Sequence, residues 1–441
     1  MTSPDDRCAD ASGHAGRRRA AELREVSSVS NVALTSRSYR RPMPSSDRRL
    51  LLYSHDGCGL GHLRRHLTIA AAVAHRSPGT AVLVATGVDD LGPFSVPAGV
   101  EVLKLPGLQK VSNERYVSRR LALDPVATTR LRGGLLEAAV SHFRPHVLLV
   151  DKHPVGPAGE LVPALERLRA QGGRAVLGVR DVLDDPAVVA AEWAATGLDA
   201  AFDRYYDQAL LYGTPGLLDP ATEAGIPAAV LAKGRWCGYV VAPVDVDQRP
   251  VDLPASRRPL VVGCAGGGDD GARMLTDFSA ASRGASWQAI VVTGPLASAT
   301  DQRAVEDAAT DAGVTVRRQV HDLRRWFHHI DAVVCMGGYN TLVEAAASAC
   351  PTVCVPRRRP RREQLIRARA FAGRGLLQLV EPDDLAPSAL GDAVRAALSV
   401  PRTELARRVE ACVDLAGAPR AAEALEELCV GRLTVGAVVP A

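Results

Sequence analysis

The chain has 441 residues, enough for two domains that each bury a core, and its 47% hydrophobic share places it in the globular class. A formal charge of +4 is small for this length and does not call for a nucleic-acid partner. No run of about 18 apolar residues and no signal-peptide core is present, so no segment is expected to span a membrane, and peripheral membrane contact stays open. Arginine supplies 49 of the 53 basic residues, a bias of composition and not a binding signal. Nine scattered cysteines without a C-x-x-C pair suggest neither a disulfide framework nor a structural zinc, and a reducing cytoplasm is the expected location.

In chain order, residues 1–47 are rich in Ser, Asp, Arg and Ala without periodicity and read as a disordered leader. The apolar run from Arg49 to His55 predicts a first strand, and the turn Asp56-Gly57-Cys58-Gly59-Leu60-Gly61 leads into a helix from His62 to His75. These glycines miss the dinucleotide fingerprint at its third position, which disfavours a Rossmann oxidoreductase. Further strands are predicted at 80–86, 100–105, 146–151, 174–180 and 208–212, with helices at 125–142, 158–171 and 186–196. That alternation is the pattern of a parallel sheet covered on both faces. Asp151, Arg180 and Asp181 fall at carboxyl ends of these strands, where open α/β sheets carry ligand groups, although plain loop structure would also place them there.

Residues 241–259 are proline-rich, polar and aperiodic, and read as a linker between domains at 48–240 and 260–430, with a tail at 431–441. Asp245 and Asp247 have the spacing of a metal-binding D-x-D pair but lie in this linker, away from any strand end, so no metal site is expected. The second half repeats the first, opening on LVVGCAGGGDDG at 260–271, with strands predicted at 289–293, 314–320, 332–336, 352–355 and 376–380.

Within it, Ala332 to Arg374 reads as strand, glycine turn, helix, strand, basic loop, helix. Gly337 and Gly338 allow a sharp turn, and Asn340 and Thr341 are suitable N-cap residues for the Ala-rich helix that follows. A helix entered this way presents unpaired N–H groups and the positive end of its dipole, which suits a phosphate. Glu344, one turn in, can accept from the vicinal hydroxyls of a ribose, or can close a Thr341-x-x-Glu344 capping box. The run Arg357-Arg358-Arg359-Pro360-Arg361-Arg362 reads as a solvated loop, a nucleic-acid patch or a phosphate clamp; aromatics make up 4% of the chain and none interleaves with it, which disfavours nucleic acid.

The segments GLGHL at 59–63 and GGYNTLVEAAASACPTVCVP at 337–356, followed by PRREQLIRARAF, resemble glycosyltransferase family 28 and, more closely, a group of predicted bacterial glycosyltransferases related to it. The resemblance implies a GT-B fold: α/β, two facing Rossmann-like domains with a central cleft, donor on the C-terminal side and acceptor on the N-terminal side. It places Gly59 and Gly61 in the N-terminal glycine loop and His62 between the domains, where a helix-start histidine without chemistry is the other reading. It also implies that Gly337, Gly338, Asn340 and Thr341 face the donor diphosphate, that Glu344 holds the ribose, and that Glu363 and Gln364 read the sugar. By the same resemblance, Val320 contacts the base through its backbone and Gly267 lies in the first glycine loop of the domain, where Asp269-Asp270 departs from the pattern and would repel a diphosphate. Asp151, Arg180 and Asp181 would fall on the acceptor side.

The expectation is a cytoplasmic glycosyltransferase that takes a nucleotide-sugar, UDP-linked, and needs no cofactor or metal. An acceptor hydroxyl would be deprotonated by His62 and attack the anomeric carbon with inversion. A UDP-sugar 2-epimerase and a non-catalytic nucleotide-sugar-binding protein are the alternatives. The acceptor cannot be named from the sequence.

Overall fold

The computed structural model describes residues 48–433, apart from 55–60, 90, 92–95, 113–114, 269 and 321. The leader at 1–47, the tail from 434, Gly59, Asp269 and His321 therefore lie outside the described residues.

The first half runs β1 (Arg49–Ser54), α1 (Gly61–Arg76), β2 (Ala81–Thr86), β3 (Val100–Lys104), β4 (Leu108–Ser112), β5 (Arg115–Ser118), α2 (Pro125–Phe143) and β6 (Val147–Asp151). It continues with α3 (Val162–Ala170), β7 (Arg174–Arg180), α4 (Pro186–Thr196), α5 (Leu198–Tyr205), β8 (Gln208–Tyr212), α6 (Ala228–Ala232) and β9 (Gly234–Trp236). Seven strands form one sheet in the order β3-β2-β1-β6-β7-β8-β9, every pair parallel. β1 and β6 are buried along nearly their whole length, as the apolar runs RLLLYS and VLLVD require of strands covered on both faces.

The second half runs β10 (Leu260–Cys264), α7 (Ala272–Ala281), β11 (Gln288–Val292), α8 (Ala299–Ala312), β12 (Thr315–Arg317), α9 (Leu323–Phe327), β13 (Ala332–Cys335) and α10 (Tyr339–Ala347). There follow β14 (Thr352–Cys354), α11 (Glu363–Gly373), β15 (Gln378–Leu379), α12 (Pro387–Leu398), α13 (Arg402–Cys412) and α14 (Gly417–Leu433). Its six strands are also parallel, in the order β12-β11-β10-β13-β14-β15. Each sheet reverses its strand order once, between β1 and β6 and between β10 and β13, and these switch points are where α/β sheets open a crevice for ligands.

Four features depart from the sequence reading. β4 and β5 form an antiparallel hairpin beside the first sheet, from a segment in which no strand is expected. The single helix expected at 158–171 is a 3-10 turn at Pro157–Gly159 and then α3, because Gly156 and Gly159 take positive φ and Pro163 starts the helix afresh. The strand expected at 314–320 ends at Arg317. Helix α14, which the sequence reading leaves in the second domain, packs on α1 of the first half. Its Ala421, Ala422, Ala424 and Leu425 are buried in a core that also contains Leu67, Ile69 and Ala70 of α1. Arg76 of α1 and Arg235 of β9 pair with Glu423, Glu426 and Glu427 along its flank.

Candidate active site

Both switch points open onto a cavity of about 450 Å³ lined by residues of the two halves. The first half contributes Gly61 and His62 at the start of α1 and Arg180 at the end of β7; the second contributes Gly267, Val320 and the start of α10. Gly338, Asn340, Thr341, Glu344, Glu363 and Gln364 all lie on this wall. Eleven of the residues picked out in the sequence are thereby brought together from positions up to 303 residues apart, Gly61 to Gln364.

The turn into α10 differs in detail from the expectation. Gly337 takes φ +84°, and a Cβ there would come within 2.9 Å of the Cys354 sulfur, so the position needs glycine twice over. Gly338 is the N-cap and supplies no side chain, and Asn340 and Thr341 lie inside the first turn. The capping box with Glu344 therefore does not form. Asn340 Nδ2 instead donates to the Gly61 carbonyl at 3.3 Å, and a Cβ on Gly61 would meet that amide at 3.1 Å. Gly338, Tyr339, Asn340 and Thr341 line the cavity, and they stand at the end of the helix that carries the free N–H groups and the positive end of the dipole.

Glu344 is buried, and Arg64 Nη1 donates to both of its oxygens at 3.0 and 3.2 Å. Burial raises its carboxyl above the usual range, against the pull of Arg64 and Arg324. Glu363 behaves oppositely. Burial alone would raise it, but Arg180, Arg357 and Arg367 hold it down to about 2. Arg357 Nη2 donates to its Oε1 at 2.9 Å, and its Oε2 is buried without a partner. Gln364 Oε1 accepts from the Arg357 backbone N–H at 3.2 Å, which leaves its amide nitrogen as a donor.

His62 Nδ1 lies 2.9 Å from Oδ2 of Asp151, which is fully buried at the end of β6. Burial disfavours ionised Asp151, yet Arg65 and His62 hold its carboxyl well below the usual range. An ionised carboxylate only accepts, so Nδ1 carries the proton and Nε2 is the basic nitrogen of the ring. Burial also lowers the pKa of His62, and Asp151 opposes that shift. Arg65 donates to Asp151 and lies 5.6 and 5.3 Å from the ring centroids of Tyr212 and Tyr339, so the carboxylate is braced by a guanidinium held between aromatic rings.

Two groups assigned to the acceptor side sit elsewhere. Asp151 stands behind His62 as its partner. Asp181 is buried, and accepts from Arg367 and from the Tyr239 hydroxyl, so it joins the two halves and has no free oxygen for an acceptor. Of the arginine run, Arg357 lines the cavity and also pairs with Asp270 at 2.7 Å, which offsets the repulsion expected of that carboxylate. Arg361 and Arg362 reach Asp184, Asp185 and Glu192 of the first half, so this part of the run ties the two halves together, with Arg362 still exposed. Asp245 and Asp247 are exposed in the segment between the sheets, away from the cavity.

Arg64, Arg65, Tyr339 and Arg367 line the cavity without having been singled out in the sequence. A signal for Arg65 existed: it stands three residues after His62, on the same helix face, where both reach Asp151.

No family model matches the chain. Over 145 residues, 32% of its length, it is 29% identical to a UDP-N-acetylglucosamine–N-acetylmuramyl-(pentapeptide) pyrophosphoryl-undecaprenol N-acetylglucosamine transferase of Anaeromyxobacter sp. (strain Fw109-5). It is 25% identical over 165 residues to the enzyme of the same name from Proteus mirabilis (strain HI4320). These matches cover 37% and 45% of the relatives, so the chain spans less than half of the curated proteins it matches. Among solved structures, the calicheamicin glycosyltransferase CalG4 superposes with a TM-score of 0.57 at 15% identity, over 90% of this chain and 100% of its own. The glycotransferase of kitacinnamycin gives 0.59 at 18% identity, over 88% and 100%. Acinetobacter baumannii MurG gives 0.55 at 13% identity, over 86% and 99%. With two parallel sheets whose switch points share one cavity, the chain has the GT-B fold, and over about a third of its length its sequence is similar to the lipid II-forming N-acetylglucosaminyltransferases.

Proposed function

We propose that this protein is a glycosyltransferase that moves a sugar from a nucleotide-sugar to an acceptor hydroxyl by a single inverting displacement. The observation that carries this reading is the His62–Asp151 pair on the wall of a cavity that also holds the α10 start and Glu344. Asp151 fixes the tautomer and orientation of the ring, and Nε2 takes the proton of the acceptor hydroxyl as its oxygen attacks the anomeric carbon. The bond from that carbon to the diphosphate oxygen breaks, and the leaving diphosphate collects charge beside the N–H groups of α10 and the arginines of the cavity. Those cations take the part a divalent ion plays elsewhere, so the reaction runs without metal or cofactor.

Glu344 takes the ribose hydroxyls, Val320 meets the base, and Glu363 with Gln364 meets the sugar. Gly267 and Gly338 bring backbone close to the phosphates. The similar curated proteins are named as UDP-N-acetylglucosamine transferases, which supports UDP as the nucleotide. No helix among the described residues is long and apolar enough to cross a membrane, and we place the reaction in the cytoplasm. Incubating the protein with a panel of nucleotide-sugars, with and without acceptor alcohols, tests the reading. Acceptor-dependent release of nucleoside diphosphate with an inverted glycoside is expected. An epimerised sugar would point to a 2-epimerase, and binding without turnover to a protein that only holds the donor.

A further inference from the structure

Five arginines line the cavity: Arg64, Arg65, Arg180, Arg357 and Arg367. Four have carboxylate partners. Arg65 is engaged by Asp151, Arg357 by Asp270 and Glu363, Arg367 by Asp181, and Arg64 by Glu344. Arg180 is different: among the described residues its guanidinium has no hydrogen bond or ion pair, and its Nε is buried without a partner. Glu363 lies near enough to act on it electrostatically, but makes no hydrogen bond to it: Oε1 is bound to Arg357, and Oε2 has no partner. A part-buried cation left without a partner on the wall of a cavity marks the place of an anion.

Arg64 is the most exposed of the four paired arginines. Its side chain is 37% exposed, against 29% for Arg357 and 1% and 0% for Arg65 and Arg367. A single nitrogen, Nη1, touches both oxygens of Glu344. A ribose whose two hydroxyls donate to that carboxylate competes with Nη1, which already draws on both oxygens, and the part-exposed side chain of Arg64 is free to move aside as the ribose arrives.

We propose that Arg64 and Arg180, both on the first half of the chain, are the two counter-charges of the donor diphosphate, and that Arg64 passes from Glu344 to the diphosphate when the ribose takes its place. Two guanidiniums match the roughly two negative charges of a diphosphate diester. Because both lie on the half opposite α10, the diphosphate is held from both walls, and the donor itself links the halves. A ligand with ribose but no phosphate competes with Arg64 for Glu344 and gives Arg64 no anion in return. Nucleosides are therefore poor ligands of the wild-type protein, and the phosphates carry most of the affinity.

The proposal rests on the reading of Glu344 as the ribose ligand. The test is calorimetric titration of the full chain with uridine and with UDP, for wild type, Arg64→Ala, Arg180→Ala and Arg180→Lys, each checked for a native melting profile. Arg64→Ala should bind uridine as well as wild type or better, and UDP about tenfold or more weaker. Arg180→Ala should leave uridine unchanged and weaken UDP by about tenfold or more, with Arg180→Lys between it and wild type. Arg64→Ala tightening uridine and UDP equally would reduce that pair to a plain latch, and unchanged UDP affinity in Arg180→Ala would remove the second counter-charge. Either result overturns the proposal while leaving the donor site in place. A wild-type protein that binds no nucleoside diphosphate overturns the donor reading itself.

Discussion

Arg367 and Asp181 are 186 residues apart in the chain, and form a two-pronged ion pair with both nitrogen–oxygen distances at 2.7 Å. The third nitrogen of Arg367, Nη1, donates to the Gly337 carbonyl at 3.1 Å, so the same guanidinium joins the halves and braces the turn into α10. Breaking such a buried pair from one side leaves a charge without compensation. Asp181→Ala is expected to cost about 3–5 kcal/mol in denaturant unfolding. The double change Asp181→Leu with Arg367→Met should cost clearly less than the sum of the singles, because neither charge is then stranded. Nucleotide affinity should fall in Arg367→Met even where stability recovers, since the Gly337 carbonyl loses its donor. Additive costs would mean that the pair is not coupled.

Glu344 has its structural partner in Arg64 and no capping role, because Thr341 lies inside the helix. Glu344→Gln should therefore leave the melting temperature nearly unchanged and weaken UDP by about 1.5–3 kcal/mol, the range for charge-assisted hydrogen bonds. The sharper readout is the preference for UDP over 2′-deoxy-UDP. A carboxylate built to hold vicinal hydroxyls rejects the analogue that lacks one, and Glu344→Gln should lose most of that preference. Equal affinities for the two nucleotides in the wild type would remove Glu344 from the ribose.

His66, one turn after His62, is fully buried, and neither of its ring nitrogens has a hydrogen-bond partner. Burial pulls its pKa down to about 4, with Asp151 opposing and Arg65 and His62 assisting. The folded chain thus keeps this imidazole neutral at pH values where the unfolded chain protonates it. Stability from this group is complete above about pH 6.5, is lost progressively as the pH falls below that, and levels off near pH 4. The loss amounts to about 3 kcal/mol, an order of magnitude from the width of that window. His66→Leu removes both the titration and the unpartnered nitrogens. Urea midpoints at pH 5 and pH 8 should differ less in the variant than in the wild type, and equal differences would contradict the assignment.

The halves and the cavity were legible because apolar runs followed by glycine turns mark β1–α1 and β13–α10 without reference to anything distant. Glu344, Glu363 and Gln364 stand out through the resemblance to glycosyltransferase family 28, and all three line the cavity. What stayed hidden depends on partners far along the chain. Nothing local tells that Asp181 faces Arg367, that Arg64 covers Glu344, or that Arg361 and Arg362 tie the halves together, because a charged residue reads as solvated until its partner is known. The cap of α10 was misplaced because Asn340 is a good N-cap by type but is used on the Gly61 carbonyl, a contact made only when the halves meet. The alanines of α14 carry no sign that the helix to which they belong returns to α1.

His62 and Asp151 give the most demanding test of the chemistry. A general base must be neutral to accept a proton, so kcat/KM should fall as the pH drops through the pKa of His62. Burial lowers that pKa from 6.5, which puts the acid limb below that value. Asp151 is what keeps it from falling further, so in Asp151→Asn the limb should move to still lower pH. At the same time kcat should drop, since an amide no longer fixes the proton on Nδ1 and the ring loses its tautomer and aim. Arg65 loses its carboxylate in that variant, and its rates are to be measured well below its melting temperature. His62→Ala should keep donor affinity and lose on the order of a hundredfold or more in turnover. Chelation with EDTA should change neither the wild-type rate nor the position of its limb. A rate that survives in His62→Ala, or a limb that stays in place when Asp151 is neutralised, would assign the proton to another group in the cavity.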